Sequence, residues 1–449
     1  MVSLKEIDKT LNDLFYICRS ITGEGNIRTI EYLIKNIIKG GEIKSIKSGK
    51  HVFDWKVPPQ WEIKDAYVKN KFGEKIINFK NNNLHVVSYS DPFKGKVTKK
   101  ELLNHLHTLP NRPNAIPYRT SYYNKTWGFC CSQKLIKSES FVGPFDVCID
   151  SCFKEDGVLN WFEYKKKGKS DKEILISTYL CHPSLANDNL SGLVMSSFLI
   201  KELNKIETYY SYRLLIVPET IGAICFLSES YSKKIIGGMI VTCVGGPGKL
   251  SIKEGFDSNH WINEAANLSL KSYTRGDYIK YPFTPDGSDE RQYSTPSFKI
   301  VTPSIHKSKY YEYDEYHTSD DNLKFISSSN IQETLKVHIK WIKNIESFCY
   351  PERYMKSGEF QLGKRGLYPN LGGTINQLAY EENSNGFQSR VFNSEIVSSQ
   401  HLEAFNWLMH LCDGEKSNFE ISKISKIDID VINESIQIFH KNNLIKINK

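Results

Sequence analysis

Apolar residues recur at helical spacing at the start of the chain, at Leu4, Ile7, Leu11, Leu14, Phe15 and Cys18, with polar and charged residues between them. This predicts a helix over about 3–18, and the same reading predicts a second over 26–38. From His51 to about Ser138 the texture changes to Pro, Trp, Tyr and Asn, with strand-like pieces at 66–68, 76–77 and 85–87, as expected of an inserted β-rich domain over 51–138. Strand and helix then alternate from about 145 to 347. Core strands are expected at 174–180, 213–217, 238–244 and 298–301, and Ile331, Leu335, Ile339, Ile342 and Ile345 mark a closing helix. Such alternation predicts an α/β fold, a mostly parallel sheet with helices on both faces, built from residues 1–50 and 139–350. After a Gly- and aromatic-rich connector at 351–375, Leu402, Phe405, Leu408 and Met409 mark one helix, 419–424 a second, and Val431, Ile432, Ile436 and Phe439 a third. A strand at 444–447 follows, and the order predicts a winged helix-turn-helix over 376–449. No run of eighteen apolar residues occurs, so no membrane span is expected.

The pattern also shows where chemistry would sit. The apolar run 174–180 empties into Cys181-His182-Pro183-Ser184-Leu185-Ala186-Asn187-Asp188-Asn189-Leu190-Ser191-Gly192, where a helical pattern begins. His182 and Asp188 thus lie at the carboxyl end of a strand, where open α/β sheets keep their sites. Imidazole nitrogen and carboxylate oxygen are zinc-type ligands, and a Pro-stiffened loop can bring both to one ion with little ordering cost. A surface histidine and a helix-capping aspartate would account for this loop equally well. Two further segments favour the metal. A second apolar strand ends at Pro218-Glu219-Thr220-Ile221-Gly222, and His317 stands inside an acidic, aromatic stretch running from Tyr310 to Asp321, where carboxylates can orient a ligating ring. Between them, Thr284-Pro285-Asp286-Gly287-Ser288-Asp289-Glu290-Arg291-Gln292 is a turn-rich loop of both charge signs, as a binding loop would be.

A strand ending in His, then Asp-Asn-x-x-Gly opening a helix, a strand ending in Glu, a Ser-Asp pair and a late His together resemble the zinc aminopeptidase family that includes the glutaminyl cyclases. More narrowly, the chain resembles the aminopeptidase-like proteins of bacterial surface-polysaccharide loci, which carry an inserted β-rich domain and a C-terminal winged helix. That resemblance is carried by Arg19-Ser20-Ile21-Thr22-Gly23, Leu84-His85-Val86-Val87-Ser88-Tyr89-Ser90, Ser121-Tyr122-Tyr123, Trp127-Gly128-Phe129-Cys130, Gly287-Ser288-Asp289-Glu290-Arg291-Gln292-Tyr293 and Gln361-Leu362-Gly363-Lys364-Arg365-Gly366-Leu367-Tyr368-Pro369. It implies His182, Asp188 and His317 as metal ligands and Glu219 as general base. The dinuclear members place a second Glu directly after the base and an Asp after the next strand; this chain has Thr220 and Gly246 there. With one ligand lost from each metal, a single zinc with three protein ligands and an open fourth position is expected. Asp289, Glu290, Arg291, Tyr293 and Arg365 are the candidate substrate contacts, Arg291 having as its alternative the neutralisation of neighbouring acids.

Composition narrows the setting. A chain of 449 residues with 40% hydrophobic and 12% aromatic content can fill two or three domains, and ten cysteines without paired spacing fit free thiols in a reducing cytoplasm. The net charge of +8 is spread thinly rather than gathered into a basic run. Asp428, Asp430 and Glu434 would stand at the front of the third C-terminal helix, against the charge needed to approach phosphates, so DNA is not the expected partner. The leading expectation is a zinc-dependent amide hydrolase for a small aminoacyl or amino-sugar substrate. Two others remain: a retired metal-binding module holding a glycan or peptidyl ligand, and a DNA-binding regulator. The winged helix or the inserted domain is the expected surface for any homo-oligomer.

Overall fold

The computed structural model describes residues 2–368 and 399–449, and the chain divides into two compact units, Met1–Lys340 and Trp341–Lys449. The first unit is built on an eight-stranded sheet. In spatial order its strands are Glu42–Lys47, Val158–Lys166, Ser211–Val217, Glu173–Tyr179, Ile235–Ile240, Ser304–Lys307, Leu250–Lys253 and Ile279–Tyr281. The four central strands run parallel, while Glu42–Lys47 and Val158–Lys166 pair antiparallel at one side and Leu250–Lys253 antiparallel to Ser304–Lys307 at the other. Every residue of Glu173–Tyr179 is buried, as a strand covered on both faces must be. The sheet's core joins Leu175, Leu215 and Val217 to Trp61 and Tyr89.

The N-terminal helices form as their periodicity predicts, at Leu4–Phe15 and Glu24–Leu33, the second ending in a π-helical turn at Ile34–Ile38. Ser3 and Glu6 close the first with reciprocal side-chain and backbone hydrogen bonds. The expected strand at 298–301 is not one. That segment only lends carbonyls to the sheet, Val301 O and Pro303 O accepting from Gly238 N–H and Ile240 N–H, and the paired strand lies beyond Pro303 at Ser304–Lys307. Residues 85–87 likewise form no strand, 83–85 being a 3-10 turn.

A second, four-stranded sheet gathers strands of the expected β-rich region together with Phe145–Lys154, in the order Lys75–Asn78, Gln60–Lys69, Phe145–Lys154, Phe93–Val97. Phe145–Lys154 was expected to reopen the strand-helix alternation of the main domain, yet it pairs along its length with Gln60–Lys69. Its inward residues Phe145, Val147 and Ile149 pack with Ala66, Val68, Phe129 and Phe141 in a separate core. Periodicity predicts a strand, but only pairing decides which sheet receives it.

In the second unit Tyr350–Arg353 pairs antiparallel with the terminal strand Ile445–Asn448. The three helices fall at Ser399–Leu411, Asn418–Ser425 and Ile429–Lys441, with Phe405 stacked on Phe439 at 4.8 Å. The expected connector residues 369–375 and the expected domain start at Asn376 lie outside the described residues. Among those described, no helix is long and apolar enough to cross a membrane, and all ten cysteines are free thiols.

Candidate metal centre

The strand Glu173–Tyr179 delivers the chain to a buried loop, and a π-helical turn at Ala186–Ser191 leads into the helix Gly192–Leu203. Asn189 ties the loop to the strand end, its Nδ2 donating to Thr178 Oγ1 at 2.9 Å and to Tyr179 O at 3.0 Å. The peptide bond between Asp188 and Asn189 is cis. Gly192 is glycine because a Cβ there would stand 2.2 Å from Asn189 Oδ1 and 2.6 Å from Val241 O. The Asp-Asn-x-x-Gly spacing is thus a packing requirement as much as a motif.

Three expected ligands meet here. His182 is 5% exposed, and its Nε2 lies 3.8 Å from Asp188 Oδ2; His317 Nε2 lies 2.9 Å from the same oxygen. Their ligand atoms all fall within 4.8 Å of one another. Asp188 Oδ2 and His317 Nε2 are both buried and close to each other, yet among the described residues neither makes a hydrogen bond of good geometry, although a buried polar atom normally does. Around a tetrahedral zinc with bonds of about 2 Å, ligand atoms stand roughly 3.3 Å apart. The observed separations bracket that value, and the N, N, O donor set is a zinc set, so these residues fit the ion that the sequence implies.

The electrostatics suit a cation. Burial holds His182 down at about 4, against the pull of Asp188, so the ring is neutral and able to ligate. Burial pushes Asp188 up, but His182, His317 and the Tyr179 hydroxyl outweigh it and hold the carboxyl at about 2. Tyr179 donates to Asp188 Oδ1. Asp321, to which the sequence assigned no role, organises this loop: its carboxylate accepts from the N–H groups of Ala186 at 3.2 Å, Asn187 at 2.6 Å and Asp188 at 3.0 Å. Burial and the nearby Asp188 raise it to about 7 even so. Its only sequence signal was a second Asp beside Asp320.

Glu219 brings a carboxylate oxygen to 3.9 Å from His182 Nε2. Burial, then Asp289 and Asp188, push its carboxyl well above the usual range. Two contacts hold its turn. Glu219 N–H donates to Cys181 Sγ at 3.2 Å, and Thr220, left-handed at φ +65°, is clamped by Asp289 accepting from its N–H at 2.7 Å and Arg291 donating to its Oγ1 at 2.8 Å. A β-branched residue keeps such a conformation only where its surroundings fix it. Thr220 therefore anchors the Glu219 turn at the position where the dinuclear pattern has a ligand. Cys181, with His182 and Glu219, forms a second group of ligand-type atoms that no motif in the sequence marks.

The remaining substrate candidates are placed differently from expectation. Tyr293 is fully buried and shares a hydrogen bond with Ser177 Oγ at 2.8 Å, a core position. Glu290 is buried against Lys253 Nζ at 2.6 Å and accepts from Tyr310 OH at 3.0 Å. Asp289 and Arg291 face Thr220 and so shape the Glu219 turn, which gives Arg291 its structural alternative with Thr220 as partner. Arg365 lies in the second unit, at the end of the 3-10 turn Gly363–Arg365, and donates to Gln361 O just before that turn.

The second missing carboxylate is accounted for at Gly246, whose N–H, like that of Gly245, donates to Asn187 Oδ1. A Cβ at Gly246 would stand 2.5 Å from Ser308 Oγ and 2.6 Å from Ser308 Cβ. Gly246→Asp, which restores the carboxylate in sequence, is expected to cost about 1–3 kcal/mol through overpacking and to leave metal content unchanged. Thermal melts and elemental analysis check this; a second equivalent of zinc in that variant would refute it.

Residues 8–347 match the family model described as a domain of unknown function, DUF4910. The chain belongs to this family. A Clostridium acetobutylicum relative, described as a candidate polysaccharide biosynthesis protein with aminopeptidase-like domain, is 38% identical over 444 residues, 98% of this chain and 96% of its own length. A solved structure from the same organism, described as a candidate peptidase, superposes with a TM-score of 0.87 at 37% identity, covering 99% of this chain and 96% of that one. The DUF4910 fold also matches a zinc aminopeptidase from Bacillus subtilis, with a TM-score of 0.55 at 11% identity over 76% of this chain and 95% of that one, a likeness of fold alone. The resemblance to aminopeptidase-like proteins associated with polysaccharide synthesis is thereby shown, and with it the mixed α/β fold on a large central sheet.

Proposed function

We propose that this chain is a hydrolase carrying one zinc, held by His182, Asp188 and His317, that cleaves an amide bond in a small aminoacyl or N-acylated amino-sugar substrate. The observation that carries the reading is the convergence of the His182, Asp188 and His317 ligand atoms within 4.8 Å of one another, with a Glu219 carboxylate oxygen 3.9 Å from His182 Nε2. A zinc bound by three protein ligands supplies Lewis-acid polarisation of a carbonyl and acidifies water at its open position. The chain supplies the rest. Glu219 takes a proton from the attacking water and returns it to the leaving nitrogen, a role for which its place beside the ligand cluster suits it. Asp289, Arg291 and Cys181 keep that carboxylate aimed. The setting in polysaccharide biosynthesis follows the description of the Clostridium relative.

Thr220 and Gly246 also favour a second reading, a metal-binding module without turnover, since losing two carboxylates is one way for an enzyme to retire. One experiment separates the two: elemental analysis of the purified protein together with a panel of aminoacyl and N-acylated amino-sugar amides. One zinc per chain with cleavage in the panel is expected. Two equivalents surviving gentle dialysis would overturn the mononuclear site, and retained zinc without cleavage across the panel would favour the binding module.

A further inference from the structure

A segment of the insertion reaches the ligand cluster. Pro117 bridges Thr318 in antiparallel fashion, and Tyr118 N–H donates to His317 O at 2.8 Å. Ile116 N–H donates to Ser319 Oγ at 2.9 Å while Ser319 N–H donates to Ile116 O at 2.8 Å, and Arg112 pairs with Asp320 at 2.7 Å. The segment therefore lies along the loop that carries His317. That loop needs support, because His317 itself is left-handed at φ +54°.

The side chain of Tyr118 goes further than the backbone. It is buried, in a small apolar cluster with Leu84 and with Leu185 of the His182 loop. Its ring centre stands 5.2 Å from that of His182 and 5.1 Å from that of His317, the second contact edge to face. The two imidazoles are 5.3 Å apart. Tyr316 stacks on His317 and Tyr179 packs on His182, but among the described residues the ring in contact with both is that of Tyr118. Ligating histidines are usually aimed by a hydrogen bond from the second ring nitrogen to a carboxylate or carbonyl. For His182 that nitrogen faces Cys181 Sγ at 3.6 Å, a weak partner, which leaves the ring plane to be set by packing.

We infer that Tyr118 is a positioning residue for the metal centre: its ring sets the planes of His182 and His317, so that the inserted segment completes the site built on the α/β sheet. The inference rests on the ligand set proposed above, and not on whether the centre turns over a substrate.

The test uses the full chain with Tyr118→Phe, Tyr118→Leu and, as a control, Trp127→Leu, which breaks the stack of Trp127 with Phe93 and His105 inside the insertion. Zinc affinity is measured by competition with a chromophoric chelator, and the cobalt-substituted protein reports ligand geometry by its visible spectrum. Tyr118→Leu is expected to weaken zinc binding by about 10–100-fold and to alter the cobalt spectrum, the loss typical when a support of a ligating histidine is removed. Tyr118→Phe, which keeps the ring, and Trp127→Leu are expected to bind zinc as the wild type does. Wild-type affinity in Tyr118→Leu overturns the inference, as does an equal loss in Tyr118→Phe or in Trp127→Leu. Should the wild type take up no zinc, the hydrolase reading fails, and the metal-free protein labelled at histidine carbons decides the inference by NMR. His182 and His317 resonances broadened only in Tyr118→Leu support it; identical spectra in the wild type and all three variants, or equal broadening in Tyr118→Phe or Trp127→Leu, overturn it.

Discussion

Glu219→Gln is expected to keep its zinc and to lose turnover by about 10²- to 10⁴-fold on any amide the wild type cleaves. Glutamine preserves the volume, so the turn held by Cys181 and Thr220 has no reason to move, but it cannot accept a proton. Metal content decides what the residue does. Full zinc with lost activity marks a base, whereas a metal-free variant would make Glu219 a ligand, as its grouping with Cys181 and His182 allows. Asp289 would then be the next carboxylate to examine, because it lies against the same turn. Unchanged turnover with full zinc would remove Glu219 from the mechanism altogether.

His182→Ala and His317→Ala are each expected to lose zinc and activity together, since each removes one of three ligands and leaves an incomplete set. They should differ in stability. His182 is almost wholly buried, while the side chain of His317 is 31% exposed, so His182→Ala should lower the melting temperature of the metal-free protein more. Elemental analysis and melts of the two variants after chelation provide the check. Either variant retaining a full equivalent of zinc would break the proposed ligand set.

The elements that the chain's periodicity foretold are those whose signal is local. The strand expected at 174–180 forms at Glu173–Tyr179, that expected at 213–217 forms at Ser211–Val217, and the C-terminal helices and tail appear where their apolar residues recur. A strand's alternation or a helix's apolar stripe is visible within a dozen residues. The strand Phe145–Lys154 was legible as a strand and not as a member of the smaller sheet, and Tyr350–Arg353 had no local sign of its pairing with the far end of the chain. Sheet membership is set by partners distant in sequence.

The candidate site divides along the same line. Residue chemistry and position at strand ends mark His182, Asp188 and Glu219, because open α/β sheets present their sites at one edge, while His317 is marked by its acidic, aromatic surroundings and the roles of all four by the family resemblance. The acidic loop is less specific: its charges identify it as polar, but which side chains face a ligand depends on what packs behind them. Tertiary packing buried Glu290 on Lys253 and Tyr293 on Ser177, and turned Asp289 and Arg291 onto Thr220. It also supplied the residues with no local motif at all. Asp321 gathers three backbone N–H groups of the loop that carries Asp188, and Tyr118 arrives from more than sixty residues before the histidine it first meets. The sequence by itself determined which side-chain chemistry stands at these positions and the elements that bear it, since both are properties of short stretches of chain. Only the tertiary structure decided how those groups are aimed, because aiming depends on contacts that no local stretch contains.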